Sequence, residues 1–304
     1  MIGLQHIKHN AIDLKKWDET ILNSAAPLVF AQSFYLNATS PGWEALVIGD
    51  YEAVFPLTIK SKLKIKYLPQ PPFTSQLGAF GNINDAVVNS FVDYIDQNFN
   101  LIEIELNSTN KLNSGYANSK NTFVIEYKNG YEFNQNSKRN ITKAESTGLK
   151  VEKISKRDVF SDADKYLIPF LSEELKISSD HINLFRNLLQ NADAANQLLS
   201  LKVTDNLGKI KAIGFFISNS KHALFLKGTS FDKKENSGSM HLLMNYAIKY
   251  FANKSLVFDF GGGSNSTGLA TFYKGLGGEK LEYVFFRKNK LPKIINLIKQ
   301  KVKK

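Results

Sequence analysis

The two halves of this chain present the same order of predicted secondary-structure elements. In each half, two or three strands precede an amphipathic helix, a buried strand, a connector and a further strand. The helix-to-strand junctions Asn100-Leu101 and Ser255-Leu256 stand at corresponding places in the two halves. The halves share negligible sequence identity, so the pattern predicts a structural duplication and not a sequence repeat. Two unrelated α/β halves are the alternative.

The second half has the clearer pattern, because its hydrophobic period changes from that of strands to that of a helix and back. Strands are predicted at 197–205, 211–220 and 222–231, a helix at 239–253, a strand at 255–263, a helix at 266–277 and a closing strand at 280–288. The first three strands have the spacing of an antiparallel meander. Ser266 or Thr267 is the predicted N-cap of the last helix, and Gly277 follows its end.

The first half is less regular but shows comparable elements. A hairpin is predicted over 44–60, a strand running into a proline-rich loop over 64–78, a helix over 84–99, and strands at 101–107 and 122–127. A basic helix over 137–147 and two covering helices over 163–192 are predicted between the halves.

Composition excludes several classes of protein. A hydrophobic content of 43% is sufficient for a sizeable core. The chain has no cysteine, which excludes disulfides, thiol nucleophiles and cysteine metal sites. Neither a membrane-spanning apolar run nor a secretory signal is visible, so we expect a cytoplasmic protein.

The net charge of +11 suggests an anionic partner, but it is concentrated at one end. Eight basic residues and no acid lie in 287–304, and the rest of the chain is close to neutral. Residues 289–304 are predicted to form a basic amphipathic helix or tail, which either docks on its own domain or contacts an anionic membrane surface peripherally. Only four residues are arginine, which argues against sequence-specific DNA binding. RNA binding through the lysines remains an alternative.

Four motifs occur in an order that resembles the FemABX family. They are YLPQPPFTSQLG (67–78), SKRNITKA (137–144), FDFGGG (258–263) and FYKGLG (272–277). The resemblance implies an α/β (α+β) fold with two GNAT-like domains, each a mixed, mainly antiparallel sheet flanked by helices. The N-terminal domain would comprise residues 1–130 and the C-terminal acyltransferase domain residues 131–288, followed by the tail 289–304.

The same resemblance implies the transfer of an acyl or aminoacyl group to an amine. The acceptor would be a small-molecule or lipid-linked anionic substrate, such as a cell-envelope precursor, and the co-substrate would be acyl-CoA or aminoacyl-tRNA, with no permanently bound cofactor or metal. Some members that use aminoacyl-tRNA carry a long helical hairpin, and the segment 163–192 is too short for one. The alternative is a non-catalytic binding module that kept the fold and lost its donor site.

Three residues are candidates for the chemistry of acyl transfer, which requires stabilisation of an oxyanion. Lys274 would neutralise a phosphate or the oxyanion, Tyr273 would donate a hydrogen bond to the leaving group, and Asp259 would hold a substrate amine. The alternatives are a surface lysine, a packed core aromatic and a structural hydrogen bond.

The remaining candidates would bind the two substrates. Lys138 and Arg139 would bind a diphosphate of the acceptor at a helix N-terminus, and Gln70 and Gln76 of the proline-rich loop would also contact the acceptor. A solvated basic face is the alternative for Lys138 and Arg139.

Backbone amides at Gly238, Ser239, Gly261 and Gly262 would bind the donor. The stretch 235–240 keeps only Gly238 of the GNAT phosphate-binding signature, which argues against ordinary CoA binding, and Ser239 is equally explained as a helix cap. The glycines at 261–263 are equally explained by a sharp turn. The five histidines are scattered and predict no metal site.

Overall fold

A computed structural model describes residues 3–62, 64–112, 117–231, 237–262 and 266–291. Within these ranges the fold is mixed α/β, with eight α-helices and mostly antiparallel strands. The chain divides into two compact units: Met1–Lys120 with Glu282–Lys304, and Asn121–Leu281. Residues 292–304, which hold most of the predicted amphipathic tail 289–304, lie outside the described ranges.

The first unit contains two groups of strands. The first group is an antiparallel sheet in the order β1-β2-β3-β6: β1 Leu4–Ile7, β2 Glu44–Ile48, β3 Ala53–Leu57 and β6 Phe80–Gly81. The second has the order β4-β5-β7-β14: β4 Lys60–Lys62, β5 Ile65–Pro69, β7 Leu101–Glu105 and β14 Glu279–Asn289. β5 and β7 are parallel, and the other neighbours in this group are antiparallel. The helices are α1 Leu14–Asn23, α2 Ser33–Thr39 and α3 Asp85–Asn98.

The second unit is organised around strands in the order β8-β13-β12-β11-β10-β9. Their bounds are β8 Ala117–Glu126, β9 Lys150–Lys153, β10 Leu198–Thr204, β11 Ile210–Ser218, β12 His222–Ser230 and β13 Val257–Asp259. Only β12 and β13 are parallel neighbours, because the helix between them returns the chain to the same end of the sheet. The predicted meander of β10, β11 and β12 is confirmed.

The helices of the second unit are α4 Gln135–Ser146, α5 Val159–Asp162, α6 Ser179–Ala194, α7 Ser239–Phe251 and α8 Thr267–Gly275. Wide helical turns of the π type follow α5 at Ala163–Leu167 and Phe170–Glu174. Helix α7 packs on the sheet through Leu243, Ala247 and Phe251, which belong to one buried cluster with Phe216 and Phe258.

Short polar side chains set where several helices begin. Asn134 accepts a hydrogen bond from the Ser137 amide, and Ser266 accepts one from the Leu269 amide. The first cap explains why α4 begins two residues before the predicted basic segment. The second confirms the N-cap predicted at Ser266.

No helix in the described ranges is long and apolar enough to cross a bilayer.

Candidate functional site

The parallel strands β12 and β13 pair over only three residues and then separate. The pairs join His222, Ala223 and Leu224 to Val257, Phe258 and Asp259. Beyond them β12 continues to Ser230, whereas β13 ends and the chain passes through Gly261 and Gly262, both with positive φ. Two strands that separate in this way leave part of their backbone outside the ladder, where a ligand can approach it.

A β-bulge in β12 lies beside this separation. Phe216 pairs with Phe225 and Phe215 pairs with Lys227, so Leu226 is the extra residue opposite β11. Bulges redirect side chains and are common next to binding sites. Here the bulge is followed by Gly228, where a Cβ atom would lie 2.6 Å from the carbonyl oxygen of Ile213.

A cavity of about 180 Å³ occupies this region. Its walls are mainly apolar: Phe170, Leu175, Met240, Phe260, Leu269 and Phe272. Gly228, Gly261 and Gly262 contribute backbone to the lining, and Lys227 and Tyr273 contribute the polar side chains. Such a cavity suits a narrow, largely apolar ligand that is held by a few backbone contacts.

Tyr273 is 5% exposed, and its ring lies 4.7 Å from the Phe260 ring. Burial, assisted by the nearby charge of Asp259, raises the pKa of the Tyr273 hydroxyl to about 12. The hydroxyl therefore stays protonated at neutral pH and can donate a hydrogen bond. The predicted role as a donor to the leaving group stays a prediction, and the side chain is also a packed core aromatic.

The raised pKa of Tyr273 predicts a specific alkaline instability. In the unfolded chain the hydroxyl ionises near pH 10, so its contribution to stability is complete below pH 10 and is lost as the pH rises to about 12. We expect Tyr273→Phe to reduce the fall in unfolding free energy over this range by about 2 kcal/mol. Urea unfolding at several pH values from 9 to 12 measures this difference, and parallel stability curves for the two proteins would contradict it.

Asp259 is completely buried at the end of β13 and organises the backbone around it. Its Oδ1 accepts hydrogen bonds from the Gly261 amide at 2.8 Å and from the Thr122 hydroxyl at 3.1 Å. Its Oδ2 lies 3.5 Å from Nε2 of His222, which is 1% exposed. These contacts are those of a structural carboxylate that fixes the turn into the glycines, whereas the predicted contact with a substrate amine stays a prediction.

The N-terminus of α7 adjoins the cavity through Met240. Gly238 has a φ of +81°, and a Cβ atom there would lie 2.2 Å from the carbonyl oxygen of Asn140. Ser239 is 1% exposed, and its hydroxyl donates to the Lys211 carbonyl at 3.4 Å. A close approach of two backbones therefore explains Gly238. Gly238 is also the N-cap residue of α7, with no side-chain cap, so the expectation that Ser239 caps this helix is wrong. Glu235, which belongs to the degenerate donor signature, lies outside the described ranges, as does Gly263.

The predicted basic candidates of the second unit lie away from the cavity. Lys274 is exposed, and its Nζ lies 5.9 Å from the centroid of the Phe123 ring. Lys138 pairs with Glu132 at 2.8 Å and lowers the pKa of that carboxyl. Arg139 is exposed and donates to the Asn136 side chain at 3.0 Å. Their roles toward a phosphate-bearing substrate stay predictions.

The two glutamines predicted to bind substrate shape the proline-rich loop in the first unit. Oε1 of Gln70 accepts from the Glu105 amide, and its Nε2 donates to the Thr74 carbonyl. Gln76 is 1% exposed and accepts from the Ser108 amide at 3.1 Å. Both side chains form hydrogen bonds with the backbone that stabilise this loop. Their contact with an acceptor stays a prediction.

The cavity also contains Lys227, which was not among the site residues predicted from the sequence. Burial in apolar surroundings lowers the pKa of its amine. A signal was present in the sequence, because Lys227 is the one charged residue in the apolar segment HALFLKGTS. A lysine in such a strand destabilises the fold through the desolvation of its charge, unless it has a partner, and its presence therefore suggests a function.

Comparison with solved structures identifies the fold. FemX has a TM-score of 0.68 with this chain at 12% identity, over 97% of this chain and 99% of FemX. The C-terminal domain of a putative lysylphosphatidylglycerol synthetase from Agrobacterium fabrum has a TM-score of 0.59 at 12% identity, covering 92% of this chain and 93% of that domain. A tandem GNAT protein from the clavulanic acid biosynthesis pathway has a TM-score of 0.51 at 8% identity, over 95% of this chain and 99% of that protein.

These likenesses show a FemABX/GNAT-like fold and confirm the predicted fold class. Neither a protein-family model nor a curated protein sequence matches this chain.

Proposed function

We propose that this protein is an N-acyltransferase that binds the acyl end of a thioester donor in the cavity beside β12. The observation that carries the proposal is the separation of β12 from β13, which places an apolar cavity next to glycine backbone and Tyr273. An acyl chain matches the apolar walls, and unpaired backbone groups can hold the polar part of the donor.

The chemistry requires neither a metal nor a covalent intermediate. The nitrogen of the acceptor amine attacks the acyl carbonyl carbon, a C–N bond forms, and the C–S bond breaks. The departing thiolate takes up the proton that the amine loses. Tyr273, which is protonated at neutral pH, donates a hydrogen bond to the leaving sulfur or to the transient oxyanion, where a preorganised donor is most effective.

The donor class is proposed to be acyl-CoA, bound mainly through its acyl group because the phosphate-binding stretch 235–240 keeps only Gly238 of the GNAT signature. The apolar cavity supports an acyl chain. Helix α5 has only four residues and α6 has 16, so these two described helices do not form the long helical hairpin expected for aminoacyl-tRNA. For the acceptor we propose an amine on an anionic cell-envelope molecule. The fold shared with a putative lysylphosphatidylglycerol synthetase domain and the exposed Lys138 and Arg139 support this class.

Partly filling the cavity is expected to weaken donor binding without unfolding the protein. Leu269 lines the cavity from the first part of α8 and is 43% exposed, so a larger side chain fits at its solvent edge. We expect Leu269→Trp to weaken the binding of acetyl-CoA and longer acyl-CoA thioesters at least tenfold. Thermal stabilisation across a donor series measures this effect, because a ligand that binds the folded state raises its melting temperature.

Leu207→Trp is the matched control. Leu207 is 94% exposed in the turn between β10 and β11 and does not line the cavity. Wild type and this control should respond equally to a donor. Equal responses of Leu269→Trp and wild type would place the donor elsewhere, and the absence of any response to acyl-CoA would refute the proposed donor class. Binding without transfer to any amine would favour a non-catalytic module.

A further inference from the structure

Lys227 is chemically unlike the rest of the cavity wall. It follows the bulge residue Leu226 on β12, and none of the described residues that line the cavity has an acidic side chain. Two other partly buried lysines have carboxylate partners: Lys202 contacts Asp162, and Lys288 contacts Asp96. Across the described ranges, no ion pair or hydrogen bond of the Lys227 amine is present.

An amine in this position is a better nucleophile than an ordinary lysine. Lys227 is partly buried, and apolar walls such as Phe260 and Phe272 offer nothing that compensates its ammonium charge, so desolvation lowers the pKa of Lys227. A larger share of the side chain is then the neutral amine at neutral pH. The neutral form is the one that attacks carbonyl carbon, and desolvated lysines in apolar pockets are activated in this way.

We propose that Lys227 is a site of self-acylation by thioesters that enter the cavity. The inference rests on the proposed function, since it takes the cavity as the donor site. The amine of Lys227 attacks the acyl carbonyl carbon, a C–N bond forms, the C–S bond breaks, and the released thiolate takes the proton from the nitrogen. The products are an amide on Lys227 and a free thiol.

The modification has a direct consequence for the cavity. The amide carries no charge, so it removes the cost of burying an ammonium group, and the acyl chain occupies volume that a second donor would need. Acylated protein is therefore expected to bind further donor more weakly than unmodified protein. A cavity of about 180 Å³ leaves little room for both groups.

The test is peptide mapping of the full-length protein by mass spectrometry after incubation with acetyl-CoA and, separately, with p-nitrophenyl acetate. We expect Lys227 to gain one acetyl group at least ten times faster than Lys209, an exposed lysine of the same unit. The rate of Lys227 modification should reach half its maximum below the pH at which lysine amines ordinarily ionise, because the pKa of Lys227 is lowered. Lys227→Arg keeps the positive charge and should lose the fast modification, and its melting temperature reports whether the fold is intact.

The outcomes separate this inference from the proposed function. If acetyl-CoA stabilises the protein but Lys227 reacts no faster than Lys209, self-acylation is refuted and the donor site survives. If p-nitrophenyl acetate modifies Lys227 selectively while no acyl-CoA stabilises the protein, the reactive amine is upheld and the proposed donor class is refuted. If Lys227 reacts slowly with both reagents, the inference fails whatever the donor binding.

Discussion

Replacing Asp259 by alanine is expected to lower the free energy of unfolding by about 3–5 kcal/mol. The carboxylate is completely buried, and its Oδ1 accepts hydrogen bonds from Gly261 and Thr122 while its Oδ2 faces His222. The substitution removes the acceptor but leaves the buried donors in place, and each unsatisfied group carries a desolvation penalty of about 1–3 kcal/mol. Chemical denaturation followed by circular dichroism measures the loss.

Asp259→Asn is the informative partner variant. The amide oxygen can still accept from Gly261 and Thr122, so we expect a loss of only about 1–2 kcal/mol. Asp205 lies in an exposed turn, where it accepts hydrogen bonds from the Leu207 and Lys209 amides. Asp205→Ala tests whether removing another aspartate of this unit lowers the free energy of unfolding by a similar amount. Equal losses for the alanine and asparagine variants of Asp259 would show that the hydrogen bonds to the turn are not what the carboxylate supplies. A loss below 1 kcal/mol for Asp259→Ala would contradict the structural role.

Gly261→Ala is expected to lower the free energy of unfolding by about 2–4 kcal/mol. Gly261 has a φ of +75°, where a side chain is strained, and a Cβ atom would lie 2.3 Å from the carbonyl oxygen of Phe225. The obstacle is backbone, so either β12 or the turn after β13 must move. Because both border the cavity, the variant should also lose donor binding at ligand concentrations that saturate the wild type.

Gly208→Ala is the control that separates the strain of a positive φ from the steric clash of an added Cβ atom. Its φ of +76° is almost the same, and no atom lies within 4 Å of the Cβ position. We expect this variant to lose about 1–2 kcal/mol from backbone strain alone and to bind donor normally. The difference in stability between the two alanine variants measures the close approach of the chain segments, and the absence of a difference would argue that Gly261 serves only as a turn residue.

The elements of the second half were predictable because their hydrophobic patterns are strong and local. The meander and helices α7 and α8 agree with the predictions to within about two residues. The helices of the first 43 residues, α1 and α2, were not predicted from the sequence. Helix α1 buries only Trp17 and Ile21, and the Trp17 ring packs 4.5 Å from that of Trp43 in a contact that no local period reveals.

Part of the candidate site could also be predicted from the sequence. The segment FDFGGG and the helix after it directed attention to Asp259, Gly261, Gly262 and Tyr273, all of which lie at or next to one cavity. Lys274 was selected with Tyr273, but the structure places it in solvent. Successive helical residues differ by about 100° around the axis, and in α8 this rotation leaves Phe272 and Tyr273 on the cavity wall and Lys274 exposed.

The alternation of strands and helices, the cap at Ser266 and the glycine-rich turn could be predicted from the sequence, because each depends on residues close together in the chain. Which side chains share a cavity, and what each one contacts there, depends on the packing of segments that are distant in the chain. Lys227 is the clearest case. The strand HALFLKGTS shows a lysine among apolar residues, but the pKa of its amine depends on walls from Phe170, Phe260 and Phe272, which are distant in sequence. Desolvation is a property of three-dimensional surroundings, and the linear sequence does not contain it.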